Sequence, residues 1–172
     1  MLRGLDNLAY YRRTKDKISR LYDTTGCGNT LDFTNTHVTT FAVDSLRYWA
    51  KRIGIDGFRF DLAATLARLD GEFTRYHPFL YALRSDMLLG NLKMIMEPWD
   101  CGPNGWRTGE FGIPFAEWND RFRDCTRKFW LTDVDRMRGG EYGEMTMQEM
   151  ATRLCGSSDL FATDPAAVRP RP

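Results

Sequence analysis

The sequence predicts an α/β fold, a parallel sheet with helices packed on it. Three observations carry that expectation. Two short apolar runs each end in an acid, Gly57 to Asp61 and Leu92 to Glu97. A segment of helical periodicity precedes each run. The 36 residues between the two acids suit one strand–helix–strand crossover. Helix and strand alternating in this order imply parallel strands.

The elements follow in order. Residues 1–22 are polar, rich in Tyr and Arg, and weakly patterned; they read as a poorly ordered end with at most a turn of helix. Thr25 to Phe33, TGCGNTLDF, holds two glycines. No Gly-Lys-Ser/Thr follows and no apolar strand precedes, so a structural loop fits better than a phosphate loop. Asn35 or Thr36 can cap a helix. Val38, Phe41, Ala42, Trp49, Ala50 and Ile53 then fall on one helical face, and Gly54 can end the helix. In the strand that follows, Phe58 and Phe60 share one face while Arg59 and Asp61 share the other.

Residues 62–68 suit a short helix, and Leu69 to His77 is a polar stretch. Pro78 reads as a helix-start proline. Phe79, Leu80, Leu83, Met87 and Leu88 continue that helix to near Gly90. Pro98 favours extended backbone at Glu97, so this acid ends a strand as Asp61 does. A loop rich in Gly and aromatics, Cys101 to Pro114, leads to a short strand from Phe115 to Trp118. A helix bearing Phe122, Cys125, Phe129 and Trp130 comes next. Gly139, Gly140 and Gly143 form a connection. Thr146-Met147-Gln148-Glu149 reads as a capping box opening a last helix, which Gly156 can close. The tail DPAAVRPRP reads as irregular, and residues 162–172 as a poorly ordered end.

Composition excludes several classes. Lys+Arg is 24 against Asp+Glu 23, a net charge of +1. That balance gives no reason to expect nucleic acid or a membrane surface as partner. No apolar run reaches the roughly 18 residues of a membrane span, and the N-terminus lacks a run of signal-peptide length. A cytoplasmic protein is expected. Four widely spaced cysteines and two histidines 40 residues apart form no ligand motif, so no metal is expected. The thiols read as free and reduced. No G-x-G-x-x-G is present, and no cofactor is expected.

The chemistry lies in the two acids. A covered Arg–Asp face is costly unless the charges are paired or used. Asp61 could therefore be a structural ion-pair partner, a helix N-cap, or a reacting group. Acids at the C-terminal ends of neighbouring strands fit a β/α barrel and equally an open doubly wound sheet. Neighbouring backbones lie roughly 5 Å apart. Retaining glycosidases hold their two carboxyl groups about 5–5.5 Å apart. Beside Arg59, Asp61 would stay ionised, as a nucleophile must. Glu97, between Met96, Pro98 and Trp99, has apolar company suited to a proton donor. Trp99, Trp106, Phe111, Phe115 and Trp118 offer flat faces for sugar rings, with core packing the competing role for at least half of them.

DGFRFDLA, Asp56 to Ala63, resembles the second sequence signature of the α-amylase superfamily, glycoside hydrolase family 13. MIMEPWD, Met94 to Asp100, resembles its third. GCGNTLDF, EPWDCGPNGW, FAEWNDRFRD and RLCGSSDLF are similar to its glycogen-debranching, isoamylase-type branch. The resemblance runs from about Tyr22 to Phe161. It implies Asp61 as nucleophile, Arg59 as its orienting partner and Glu97 as general acid/base. Arg59, Trp99, Asp100, Trp106 and Trp118 would contact an α-glucan such as glycogen or limit dextrin. The implied reaction is hydrolysis of α-1,6 branch linkages through a covalent glycosyl-enzyme.

Two departures shape the expected architecture. The family's first signature should precede residue 1, and its fourth, with a His-Asp pair, should follow Pro172. On that reading residues 1–172 are one partial domain, about strands four to six of a TIM (β/α)8 barrel with flanking helices. The missing barrel segments of the parent chain would be its partners. The chain alone would be inactive, and Trp49, Phe129 and Trp130 would be partly exposed. Two other readings compete: a transglycosylase of branching-enzyme type, which the two signatures do not separate, and a non-catalytic α-glucan-binding remnant. Only an enzyme needs Asp61 and Glu97 within reach of one glycosidic bond.

Overall fold

The computed structural model describes residues 2–140 and 147–161. Tertiary contacts divide the chain into two compact units, Met1–Glu117 and Trp118–Pro172.

The first unit begins with helix α1, Arg3–Tyr10. Antiparallel bridges at Tyr11–Leu31 and Arg13–Leu21 then pin the chain. Tyr11 and Arg12 are buried. Residues 2–22 are thus more structured than the poorly ordered end expected. Their order comes from pairing with residues 21–32, and such isolated bridges leave no periodic pattern in sequence. Helix α2, Thr36–Tyr48, is capped by Asn35, whose side chain accepts from the His37 N–H at 2.9 Å. It continues as a π-helical turn, Trp49–Ile53, and stops at Gly54 in the left-handed region (φ +81°). Val38, Ala42, Leu46 and Ala50 pack on the core, while Phe41, Trp49 and Ile53 are exposed. The buried stripe therefore runs at four-residue spacing, beside the face the sequence suggested.

Strand β1, Gly57–Phe60, leads through Asp61 into the short helix α3, Ala63–Leu66. A small antiparallel hairpin follows, β2 (Arg68–Leu69) and β3 (Glu72–Phe73). The sequence reading missed it, although Asp70-Gly71 is a hairpin-turn pair and both residues adopt positive φ. Helix α4, Pro78–Ser85, starts at Pro78 as expected and buries Phe79, Leu80 and Leu83. It stops short of Gly90. The Asp86 carboxylate accepts from the N–H groups of Leu88 and Leu89 and pairs with Arg47. That turns the chain outward and leaves Met87 exposed.

Strands β4 (Lys93–Met96) and β5 (Ala116–Glu117) complete a parallel sheet in the order β1–β4–β5. Register pairs Phe60 with Met96 and Met96 with Glu117, so the three strands end level. Phe60 packs on Phe79, which also meets Phe33 at 4.5 Å between ring centroids. Phe58 joins the same core. The alternation read from the sequence holds.

His77 caps α4, its Nδ1 accepting from the Phe79 N–H at 3.1 Å. The imidazole is fully buried. Burial, aided by the Arg12 charge, pushes its pKa from 6.5 down to about 4. The folded chain thus holds it neutral while the unfolded chain protonates it. Stability is complete above pH 6.5 and falls as the pH drops from 6.5 towards 4, by up to about 3 kcal/mol. Urea midpoints at pH 7 and pH 5 read this. His77→Asn, which keeps a capping oxygen, should flatten the drop. An identical drop in that variant would remove His77 as the cause.

The second unit is helical. Asn119 caps helix α5, Asp120–Arg127, accepting from the Phe122 N–H at 2.9 Å. A π-helical turn, Lys128–Thr132, joins it to α6, Asp133–Arg138. Helices α7 (Met147–Leu154) and α8 (Ser158–Phe161) follow, with Gly156 at φ +94° after α7. Cys125 meets Met150 at 3.7 Å between sulfurs, and Asn119 donates to the Ser157 hydroxyl at 2.8 Å. Of the expected apolar face only Cys125 is buried; Phe129 is half-buried and Phe122 and Trp130 are exposed. Gly143, the capping residue Thr146 and the tail 162–172 lie outside the described residues. Among those described, no helix is long and apolar enough to cross a membrane.

Candidate active site

Asp61 and Glu97 each follow the last residue of a strand, β1 and β4, and those strands are hydrogen-bonded neighbours. Arg59 lies on the same face of β1 as Asp61 and binds both carboxylates. Its Nη1 is 2.7 Å from Asp61 Oδ1 and its Nη2 is 2.8 Å from Glu97 Oε2. One guanidinium fork spans the pair, so the bonded oxygens are no more than about 8 Å apart. The Asp61 side chain is 75% exposed; Glu97 is buried. The sequence anticipated Arg59 beside Asp61. It did not anticipate that the same cation reaches Glu97, whose company is therefore not only apolar.

The turn after Asp61 is built for Glu97. Leu62 sits in the left-handed region (φ 44°, ψ 50°) although it carries a side chain. Such a backbone costs of order 1–3 kcal/mol. It aims the Leu62 N–H at Glu97 Oε2, 2.7 Å away. The Ala63 N–H donates to the Glu97 carbonyl at 2.9 Å, and the Glu97 N–H to the Phe60 carbonyl at 3.0 Å. Glu97 is thus fixed by main chain from β1 and α3. Leu62, not Asp61, stands at the N-cap position of α3, which sets aside the capping role considered for Asp61. No feature of the sequence signals the Leu62 conformation.

Asp100 requires a correction. Its side chain is 0% exposed and bound to Arg68 through two bonds, 2.6 and 2.7 Å. Its Oδ1 also accepts from the Gly102 N–H at 2.9 Å. Buried and committed in this way, it offers no surface to a sugar. Arg68, also 0% exposed, was missed by the sequence reading, because a lone Arg beside Leu69 gives no sign of burial.

The aromatics separate by burial. Phe111 and Phe115 are core; Phe111 packs edge-on to Phe73 at 4.9 Å, and the Arg84 guanidinium lies 4.8 Å from the Phe115 ring centre. Trp99 is half-buried and stacks on Trp106 at 4.9 Å with 16° between planes. Trp106 is 56% exposed. Trp118, in the second unit, is 46% exposed.

Glu117 is a third acid at a strand end, beside Met96 in register. Burial pushes its carboxyl above the ordinary range, against the Gly109 and Phe111 N–H groups that it accepts from. It therefore clasps the loop before β5. The TGCGN stretch is a structural loop, folded around Asp23, which accepts from Thr25 and Gly28 at 2.8 Å. A cavity of about 490 Å³ bounded by Arg12, Tyr22, Asp32 and Arg68 is lined by neither Asp61 nor Glu97. Among the described residues no cluster of His, Cys, Asp and Glu has the makings of a metal site.

The class of protein follows first from the fold. Pullulanase structures superpose on 88% of the chain. The one from Bacillus acidopullulyticus does so with a TM-score of 0.63 at 22% identity, over 18% of its own length. That from Anoxybacillus sp. LM18-11 gives 0.63 at 26% identity over 21% of its length, and the same enzyme complexed with maltotetraose gives 0.60. The chain thus has an α/β fold shared with pullulanases. No family model matches it. Sequence narrows the class. The chain is 42% identical over 160 residues to the glycogen debranching enzyme of Cronobacter sakazakii, and 43% over 163 residues to that of Klebsiella pneumoniae. These matches take in 93% and 95% of the chain but 22% and 23% of the relatives. The chain is a homologue of the bacterial glycogen debranching enzymes along nearly all of its own length, and it spans about a fifth of theirs.

Proposed function

We propose that the chain supplies the nucleophile and the acid/base of a retaining α-1,6-glucosidase acting on branch linkages of glycogen or limit dextrin. The observation that carries the reading is Arg59 bridging Asp61 and Glu97 at the ends of neighbouring parallel strands. The Asp61 carboxylate attacks the anomeric carbon while Glu97 protonates the departing glycosidic oxygen. Glu97 then takes a proton from water, and that water releases the sugar from the Asp61 ester. Arg59 holds the Asp61 carboxylate in place. Arg59 and the Leu62 N–H both hold Glu97 Oε2, which leaves Oε1 as the oxygen to carry the transferred proton. Trp99 and Trp106 offer ring faces to the glucan.

In this reading β1, β4 and β5 are strands four to six of a (β/α)8 barrel. Support comes from the share of the relatives that the chain spans and from β1 and β5 being the outer strands of their sheet. Three strands do not close a barrel, and the transition-state carboxylate implied by the resemblance lies outside the span. The 172-residue chain alone is therefore expected to release no reducing ends from glycogen. The cytoplasm is the proposed compartment, in keeping with four free thiols.

Glu97→Gln in the complete barrel tests the acid/base role. Branch hydrolysis should fall by about 10²–10⁴-fold. An α-glucosyl fluoride, whose leaving group needs no proton, should keep a fast first step. Equal losses on both substrates would show that Glu97 is not the acid.

A further inference from the structure

We infer that Arg68 and Asp100 are a positioning pair that holds the Trp99–Trp106 stack as a glucan-binding ledge beside the two carboxylates. The ligand of that ledge rests on the α-glucan reading above; the pair's effect on the ledge does not. Arg68 lies seven residues after Asp61, and Asp100 three after Glu97. Their bidentate contact therefore ties the segment leaving one acid to the segment leaving the other. Both side chains are completely buried. Arg68 spends two further donors on the carbonyls of Pro103 (2.8 Å) and Gly71. The guanidinium fork thus grips the ledge loop at its start and its middle, and the hairpin turn as well.

The loop itself has little freedom left. The Asp100 N–H donates to the Gly105 carbonyl at 3.1 Å, and the Arg107 N–H to the Pro98 carbonyl at 2.7 Å. The Cys101 N–H donates to the Thr24 carbonyl at 2.9 Å, which seats the TGCGN loop against it. A side chain at Gly105 would meet the Asp100 carbonyl at 2.4 Å and Oδ1 at 2.7 Å. These contacts bring Trp106 back over Trp99, two residues beyond Glu97. A stacked pair with one member 56% exposed presents a preformed flat face. A preformed surface spares the ordering cost that a mobile aromatic bears on binding.

The test reads the stack and the binding separately in the 172-residue chain. Two stacked indoles give an exciton couplet in far-ultraviolet circular dichroism, isolated here by subtracting the spectrum of Trp106→Ala. Maltotetraose affinity is followed by tryptophan fluorescence. The double variant Arg68→Met/Asp100→Leu removes both charges together and leaves none buried alone. It should unfold cooperatively near the wild-type midpoint, lose most of the couplet and bind about tenfold more weakly. Gly105→Ala keeps both charges and should weaken couplet and affinity in the same direction. Wild-type couplet in a folded double variant, or in Gly105→Ala should the double variant fail to fold, overturns the positioning role. A wild-type chain that shows the couplet but does not bind maltotetraose refutes the stack as a glucan-binding ledge, and the couplet then decides the pair's role by itself.

Discussion

Asp61→Asn is expected to abolish branch hydrolysis in a complete enzyme carrying this chain, with a loss of at least about 10⁴-fold in kcat. The amide is nearly isosteric with the carboxylate. It cannot form the glycosyl ester, because its nitrogen and carbonyl lack the charge and leaving chemistry of a carboxylate. The side chain is largely exposed and its ion pair is with Arg59, so the fold should tolerate the change. Glucan binding should stay within a few-fold, since the Trp99–Trp106 stack does not depend on Asp61. The measurement pairs reducing-end release with affinity for maltotetraose. Activity near wild type would show that Asp61 is not the nucleophile. Loss of binding in step with activity would point to a folding defect instead.

Arg68→Ala should be the most destabilising single substitution in the first unit, by about 3–5 kcal/mol. The reason is the charge left behind. Asp100 would remain buried with the Gly102 N–H as a partner and without its cation, and the Pro103 and Gly71 carbonyls would lose a donor. Arg59→Ala makes a useful comparison, because Arg59 is 36% exposed, Asp61 is open to water, and Glu97, the one buried partner, keeps the Leu62 N–H on its Oε2. Its cost should be smaller. Urea unfolding of both variants at pH 7 reads the difference. A cost for Arg68→Ala under about 1 kcal/mol would mean that water reaches Asp100, and that the pair is not sealed as the structure has it.

Much of the first unit was legible because it is coded by short-range pattern. The alternation Phe58-Arg59-Phe60-Asp61 fixes two faces of a strand, and the Asn35 cap, the Gly54 stop and the Pro78 start are local chemistry. The two acids and the crossover between them were readable for the same reason. Where the reading fell short, the deciding partner is distant in sequence. Residues 2–22 are ordered by pairing with residues 21–32. Helix α4 ends early because Asp86 captures two backbone N–H groups ahead of it and Arg47 far behind it. The hairpin at Asp70-Gly71 did carry a local signal, obscured by the polar residues around it.

The sequence by itself determined the parallel strand pair, the placement of Asp61 and Glu97 at its ends, and the kinship with glycogen debranching enzymes. Those follow from periodicity and motif, which are properties of neighbouring residues. Only the tertiary structure decided what each charge faces. Asp61 and Asp100 are both acids that follow a strand, yet one is 75% exposed and the other is sealed against Arg68. Arg59 looked like the partner of one carboxylate and proved to bridge two. Burial and pairing of a charge are set by which segments pack over it. An Asp flanked by Trp and Cys can be solvated or enclosed with equal ease until the hairpin carrying Arg68 folds down upon it.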